Sequence, residues 1–150
     1  MSDVNPEPGL PSTMAFRLGT VGSIVADRFA EKIAAFDLKP KHAGLMTALA
    51  AGVPASQQEL AARLGVAPSL VVSLADHLEA LGAIARVRDL GDRRRQVLSL
   101  TDHGRRLLAD CAAAARDLDE ELTAGLRPAQ RTALRDALGI LAQRVGLPTE

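Results

Sequence analysis

Five arginines, Arg86, Arg88, Arg93, Arg94 and Arg95, fall within ten residues around Leu90 and Gly91, with Asp89 and Asp92 among them. A guanidinium is a planar cation that pairs with phosphate through two donors and fits the narrow minor groove of a duplex, where the potential is most negative. Asp92, left free, would repel phosphate, so its expected task is to hold Arg88 or Arg94 in place through a charge-assisted pair. The chain as a whole carries no net charge, yet residues 84–106 hold seven arginines against three aspartates. Such a local excess can meet phosphates despite a neutral total, with modest non-specific affinity. Other chemistry is poorly supplied. No nucleophile–base pair, phosphate loop or metal set is present, so neither catalysis nor a cofactor is expected. Cys111 is the single cysteine, which excludes an intramolecular disulfide, and no histidine–cysteine spacing suits zinc.

The arginines need a platform, and the flanking residues describe one. Ala83-Ile84-Ala85 precedes them, and Gln96-Val97-Leu98-Ser99-Leu100 alternates polar and apolar side chains, as a strand with one buried face does. The result is a hairpin with a charged tip, in which alternation must turn some arginines away from any partner. Upstream, Met14, Leu18, Val21, Val25, Phe29 and Ile33 form one stripe on a helix from Ser12 to about Phe36. Pro40 opens a second helix with Leu45, Met46 and Leu49 inward, stopped by Gly52-Val53-Pro54. Ser56 and Glu59 make a capping box for a third helix that Gly65 ends. Ala67-Pro68 opens a fourth, with Leu70, Val71, Leu74, Leu78 and Leu81 inward and Gly82 as its break. The turn between the third and fourth helices is about three or four residues, as a helix-turn-helix requires.

After the hairpin, Thr101 can cap a long helix carrying Leu107, Leu108, Cys111, Ala115, Leu118 and Leu122, and Pro128 opens a last one with Leu134, Leu138, Leu141 and Val145 on one face. These terminal stripes exceed what a small central module can cover, and dimerisation would bury the rest. The expected fold is mainly α, a winged helix-turn-helix with a two-stranded β-hairpin wing. Residues 1–11, rich in proline, read as a disordered arm. Residues 12–37 and 107–150 read as dimerisation helices, and 38–106 as the winged helix-turn-helix region. There is no signal-peptide pattern and no apolar run of spanning length, so a cytoplasmic protein without membrane contact is expected.

The outward positions of the fourth helix are Ser69, Val72, Ser73, Asp76, His77 and Ala80. Hydroxyls can meet phosphates or several bases and Val72 a thymine methyl, but the bidentate arginine–guanine contact is missing, so specificity leans on DNA shape and the wing. Pro68 and Ser69 sit where helix amides and a hydroxyl can meet a phosphate. His77 reads equally as a phosphate ligand when protonated or as an exposed polar residue. The DNA-facing set is therefore Pro68, Ser69, Val72, Ser73 and His77 with Arg86, Arg88, Arg93, Arg94 and Arg95.

The order of elements, together with Asp92-Arg93-Arg94 and Leu98-Ser99-Leu100-Thr101-Asp102-His103-Gly104, resembles the MarR family of multiple-antibiotic-resistance regulators. Its wing pattern, Asp-x-Arg followed by Leu-Thr-x-x-Gly, falls on Asp92, Arg94, Leu100, Thr101 and Gly104, and the likeness covers about Leu38 to Leu108. The fourth helix departs from it by lacking a basic residue near Ser73 or His77. The resemblance implies a homodimeric repressor on a pseudo-palindromic duplex with half-sites roughly 10 bp apart. The fourth helix would lie in the major groove, with Arg94 carrying the minor-groove contact of the wing. It also implies release by a small anionic or phenolic effector held between the dimer helices and the DNA-binding part, with Arg17, Arg28, His42, Cys111 and Ala115 as candidate neighbours. The chain has no Tyr or Trp and only Phe16, Phe29 and Phe36, few groups to line such a pocket. The run Ala112–Ala115 serves close helix packing more often than a ligand gap. Cys111, with no adjacent cation, reads as an inert core thiol rather than a peroxide sensor, and His103 as a surface or capping residue. Neutral charge and the base-poor fourth helix leave an alternative, a winged-helix protein-interaction module with weak or no specific DNA binding.

Overall fold

The computed structural model describes residues 7, 9–52 and 54–148. Most of the expected N-terminal arm, and Val53, lie outside the described residues. The elements are α1 (Met14–Ile33), α2 (Pro40–Ala50), α3 (Gln57–Leu64), α4 (Pro68–Ala80), β1 (Ile84–Arg88), β2 (Gln96–Leu100), α5 (Asp102–Thr123) and α6 (Pro128–Arg144). They fall into two compact units, Met1–Ala115 and Arg116–Glu150, divided within α5.

In the first unit, Leu10–Ser12 closes one 3-10 turn before Thr13, whose Oγ1 accepts from the Phe16 amide at 3.2 Å to start α1. The α-helix stops at Ile33, short of the expected end. Ala34–Phe36 tighten into a second 3-10 turn that ends at Asp37, whose φ of 57° is left-handed. A short polar side chain tolerates that conformation better than most, and it sharpens the corner into α2. Downstream, Ser56 Oγ accepts from the Glu59 amide while Glu59 Oε2 accepts from the Ser56 amide, both at 3.2 Å, the reciprocal box expected for α3. Gly65 adopts φ 64° and returns its amide to the last carbonyls of α3, a conformation that costs glycine little.

β1 and β2 pair antiparallel, with Ile84 opposite Leu100, Arg86 opposite Leu98 and Arg88 opposite Gln96. Ala55 bridges Leu98 from the far side, donating at 3.3 Å and accepting at 2.8 Å, so β2 is hydrogen-bonded on both edges at its centre. One buried face was expected of β2, but Val97 is buried as well as Leu98 and Leu100. The core joins Ile33, Leu38, Leu45, Met46, Leu60, Val71, Leu78, Ile84 and Leu98. Each such side chain contributes about 1.5–3 kcal/mol on burial. α5 closes the unit through Leu107, Leu108 and Ala114, with Cys111 buried among them.

The junction of the hairpin and α5 is tightly built. Thr101 Oγ1 donates to the Gly82 carbonyl at 2.6 Å and accepts from the Gly104 amide at 3.0 Å. Its own amide bonds the Ala83 carbonyl at 3.0 Å. Thr101 thus caps α5, as expected, and also ties it to the start of β1.

In the second unit, Arg131 pins α6 to the end of α5, pairing with Glu120 at 3.1 Å and donating to the Thr123 carbonyl at 3.2 Å. The apolar residues of α6, Leu134, Leu138, Leu141 and Val145, are all exposed, as are Met14, Leu18 and Val21 of α1. The α1 stripe is covered at its C-terminal end, where Ile33 is buried and Phe29 packs on the core, while its N-terminal half and the stripe of α6 are left uncovered by the single chain. Among the described residues no helix is long and apolar enough to cross a membrane.

Candidate nucleic-acid interface

The five wing arginines fall into three placements, inward, bracing the tip and exposed, and strand alternation explains the first division. Arg86 lies on the same face of β1 as Ile84, the face turned toward α4. Its Nη2 is 2.6 Å from Asp76 Oδ1 and its Nη1 2.8 Å from Glu79 Oε1, with the side chain only 20% exposed. The hydrogen bond to Asp76, followed by the one to Glu79, pushes the Arg86 pKa up against the opposing effect of burial. Expected among the phosphate contacts, Arg86 instead spends its fork on two carboxylates of α4. Arg95 is likewise drawn inward, pairing with Glu59 at the start of α3 and lying 3.4 Å from Asp89. Glu59 is held below the usual carboxylate range first by the Ser56 amide and then by Arg95. Both arginines tie the wing to the helix-turn-helix rather than presenting it with free charge.

The tip is ordered by its own polar groups. Arg88 Nη1 donates to the Arg93 carbonyl at 2.9 Å, and the Asp89 amide to the Arg95 carbonyl at 2.9 Å. Asp89 Oδ1 accepts from the Gly91 amide at 3.0 Å, and Asp92 Oδ1 from the Arg94 amide at 3.1 Å. Asp92 also stands 3.8 Å from Arg94 Nε. Of the two arginines it was expected to hold, it holds Arg94, chiefly through the backbone. The Arg94 side chain is 97% exposed, and Arg93 is exposed beside it.

On α4, Pro68, Ser69, Val72 and Ser73 are exposed, so the outward face is where the helical pattern puts it. His77 is not a free surface residue. Its Nε2 is 2.6 Å from the Asp37 carbonyl, which can only accept, so Nε2 is the donor. The ring stacks on His42 with centroids 4.4 Å apart and planes at 20°. His42 Nδ1 in turn accepts from the Lys39 amide at 2.9 Å. This corner lines a cavity of about 470 Å³ formed by Ala34, Asp37, Leu38, Lys39, His42, Ser73 and His77. Of the five candidate effector residues only His42 lines it. Arg17 donates to the Pro11 carbonyl at 3.0 Å, Arg28 is exposed and Ala115 half-buried. Burial, then Asp110, pushes the Cys111 thiol up, which disfavours its thiolate. Among the described residues no three side chains could hold a metal ion.

His42 is buried, and its pKa is lowered first by desolvation, then by His77 and Lys39, with Asp37 opposing. A histidine with a depressed folded-state pKa binds fewer protons folded than unfolded. Its contribution is therefore complete above the unfolded value of about 6.5 and is lost as pH falls below it. Urea unfolding at pH 7.5 and 5.5 should show wild type losing more stability on acidification than His42→Gln, whose amide oxygen can still accept from Lys39. Equal losses would show that His42 is not the group responsible.

The missed residues are those that meet the expected ones from afar. Asp76 and Glu79 are spaced three apart on one face of α4, a signal of a shared partner, but nothing local names Arg86 as that partner. Lys39, Asp37 and Leu90 carry no pattern of their own.

With this geometry in place, the likenesses to known proteins agree. Residues 36–95 match the model of the MarR family. No curated protein matches the chain. Among solved structures, the transcriptional repressor CouR bound to a 23-mer DNA duplex is 30% identical, with 89% of this chain and 94% of that one covered and a TM-score of 0.72. CouR from Rhodococcus jostii RHA1 bound to p-coumaroyl-CoA is 27% identical over the same shares, with a TM-score of 0.69. A MarR-family transcriptional regulator from Rhodococcus sp. RHA1 is 25% identical over 89% of this chain and 96% of that one, with a TM-score of 0.71. The winged helix, the wing pattern and these likenesses together show that the chain belongs to the MarR family of DNA-binding transcriptional regulators.

Proposed function

We propose that the protein is a homodimeric repressor that binds a pseudo-palindromic operator, with α4 in the major groove and the wing in the adjacent minor groove. The observation that carries this reading is Arg94, almost fully exposed at a tip whose backbone is held by Asp92. A cation carried on a tip with an ordered backbone suits the minor groove because the loop itself has little ordering left to undergo on contact. Arg93 adds a second exposed charge. Pro68, Ser69, Val72 and Ser73 supply the face of α4, and Arg88 shapes the tip. The exposed stripes of α1 and α6 would be buried between protomers. The cavity beside α4 supports release by a small anionic effector, as does the acyl-CoA complex of CouR. Asp76 and Glu79, which would favour an interaction module by repelling DNA, are both paired with Arg86.

The test is duplex affinity of two wing variants. Arg94→Ala should weaken binding at least about tenfold while leaving thermal unfolding unchanged. Asp92→Ala should weaken it too, although it removes a negative charge. Undiminished affinity of Arg94→Ala, or a gain for Asp92→Ala, would contradict the proposed wing contact.

A further inference from the structure

Leu90 is the most exposed large apolar side chain among the described residues, 102% against 81% for Met14, the next. It sits at the wing tip, where a turn ordinarily takes glycine, asparagine, aspartate or serine. The loop does not let it fold back. Asp89 holds the Gly91 amide, Asp92 the Arg94 amide, Arg88 the Arg93 carbonyl, and Arg95 accepts from the Asp89 amide. The peptide groups on either side are thus engaged, and the leucine is left projecting between exposed cations. Most other exposed large apolar residues lie on α1 and α6 or just beyond their ends, where a second copy of the chain would cover them, and Val72, Val87 and Leu122, on α4, β1 and α5, are only 40%, 39% and 37% exposed. Leu90 belongs to no stripe, and nothing in its own fold is gained by it.

Resting on the DNA-binding reading above, we propose that Leu90 is an apolar wedge that enters the minor groove with Arg94 and packs into a base step, bending the duplex. The groove wall offers deoxyribose faces and its floor offers base edges, and an apolar tip gains there only by contacting sugars or opening a step. Arginines on either side neutralise the flanking phosphates and hold the tip at the depth where the leucine can reach. Pyrimidine–purine steps unstack most readily, so the operator should carry a TA or CA/TG step under each wing. This gives the wing a sequence preference that its arginines, reading groove width, do not supply by themselves.

The experiment uses the full chain and duplexes selected by it from a random-sequence pool. One adenine at the step under the wing is replaced by 2-aminopurine, whose emission rises on unstacking, and dyes at the two ends report the bend. Wild type should raise the emission and shorten the end-to-end distance. Leu90→Ala should lose both effects and bind about tenfold more weakly, a leucine's burial being partly offset by the cost of unstacking. Leu90→Met should retain them. Because the side chain is fully exposed, neither variant should change the thermal unfolding curve. If Leu90→Ala binds, bends and brightens the duplex as wild type does while Arg94→Ala binds weakly, the wedge is wrong and the DNA-binding reading stands. If wild type selects no duplex from the pool, the DNA-binding reading fails and takes the wedge with it.

Discussion

Replacing Gly104 with alanine is expected to lower the stability of the fold by roughly 3 kcal/mol or more, an overpacking cost at the upper end for a single methyl. A Cβ at this position would stand 2.0 Å from the Ala83 carbonyl oxygen, 2.9 Å from its carbon and 2.7 Å from Leu100 Cδ1. The leucine could swing aside. The carbonyl cannot, because it accepts from the Thr101 amide and begins the strand that carries Arg86 and Arg88. Relief would require parting α5 from β1, which also breaks the two bonds of the Thr101 hydroxyl. Gly44→Ala is the control. It lies inside α2, exposed and with nothing within 4 Å of its added methyl, and should stabilise by about 0.5–1 kcal/mol. Urea unfolding of the two variants side by side checks both signs, and a Gly104→Ala protein as stable as wild type would contradict this account of the junction.

The second large effect is expected at Arg86, on binding rather than on folding. Arg86→Ala removes partly exposed ion pairs, worth about 1 kcal/mol to the fold. It also leaves Asp76 and Glu79 uncompensated on the helix proposed to face phosphates. Like charges brought together at an interface are costly, so duplex affinity should fall about tenfold or more although Arg86 itself need touch no DNA. The distinguishing result comes from the triple variant Arg86→Ala with Asp76→Ala and Glu79→Ala. If Arg86 acts by masking these carboxylates, their removal restores most of the affinity. If Arg86 instead contacts a phosphate directly, the triple variant stays as weak as the single one.

These two residues also mark how far the sequence could be read. The helix boundaries were legible because their signals are local. Ser56 with Glu59, Gly65, Pro68 and Gly82 act within a few residues, and the structure uses each as expected. Gly104 was legible as part of a pattern, but the reason for a glycine was not, since the carbonyl it faces lies about twenty residues away. Alternation said that some wing arginines must turn from the partner without saying which. That choice depends on the packing of β1 against α4, which puts Arg86 beside Asp76 and Glu79, and on α3, which puts Glu59 within reach of Arg95. Helical periodicity turns His77 outward, as a phosphate ligand when protonated or an exposed polar residue, and says nothing of a partner within the fold. Its partners are Asp37, in the corner before α2, and His42, in the first turn of α2, where a left-handed aspartate and a 3-10 turn bring the chain back toward α4. The stripes of α1 and α6 were visible as apolar faces, and what covers them is a matter of assembly.

Operator recognition by the wing and α4 is read by fluorescence anisotropy of the protein on a duplex selected from a random pool, with random-sequence competitor present and salt varied. Competitor-resistant binding is expected, with an affinity whose logarithm falls linearly with that of salt and a slope smaller by about 0.9 for each phosphate contact removed. Arg93→Ala should show that reduction. Failure to bind any duplex more tightly than the competitor would contradict the assignment of the wing and α4 to operator recognition.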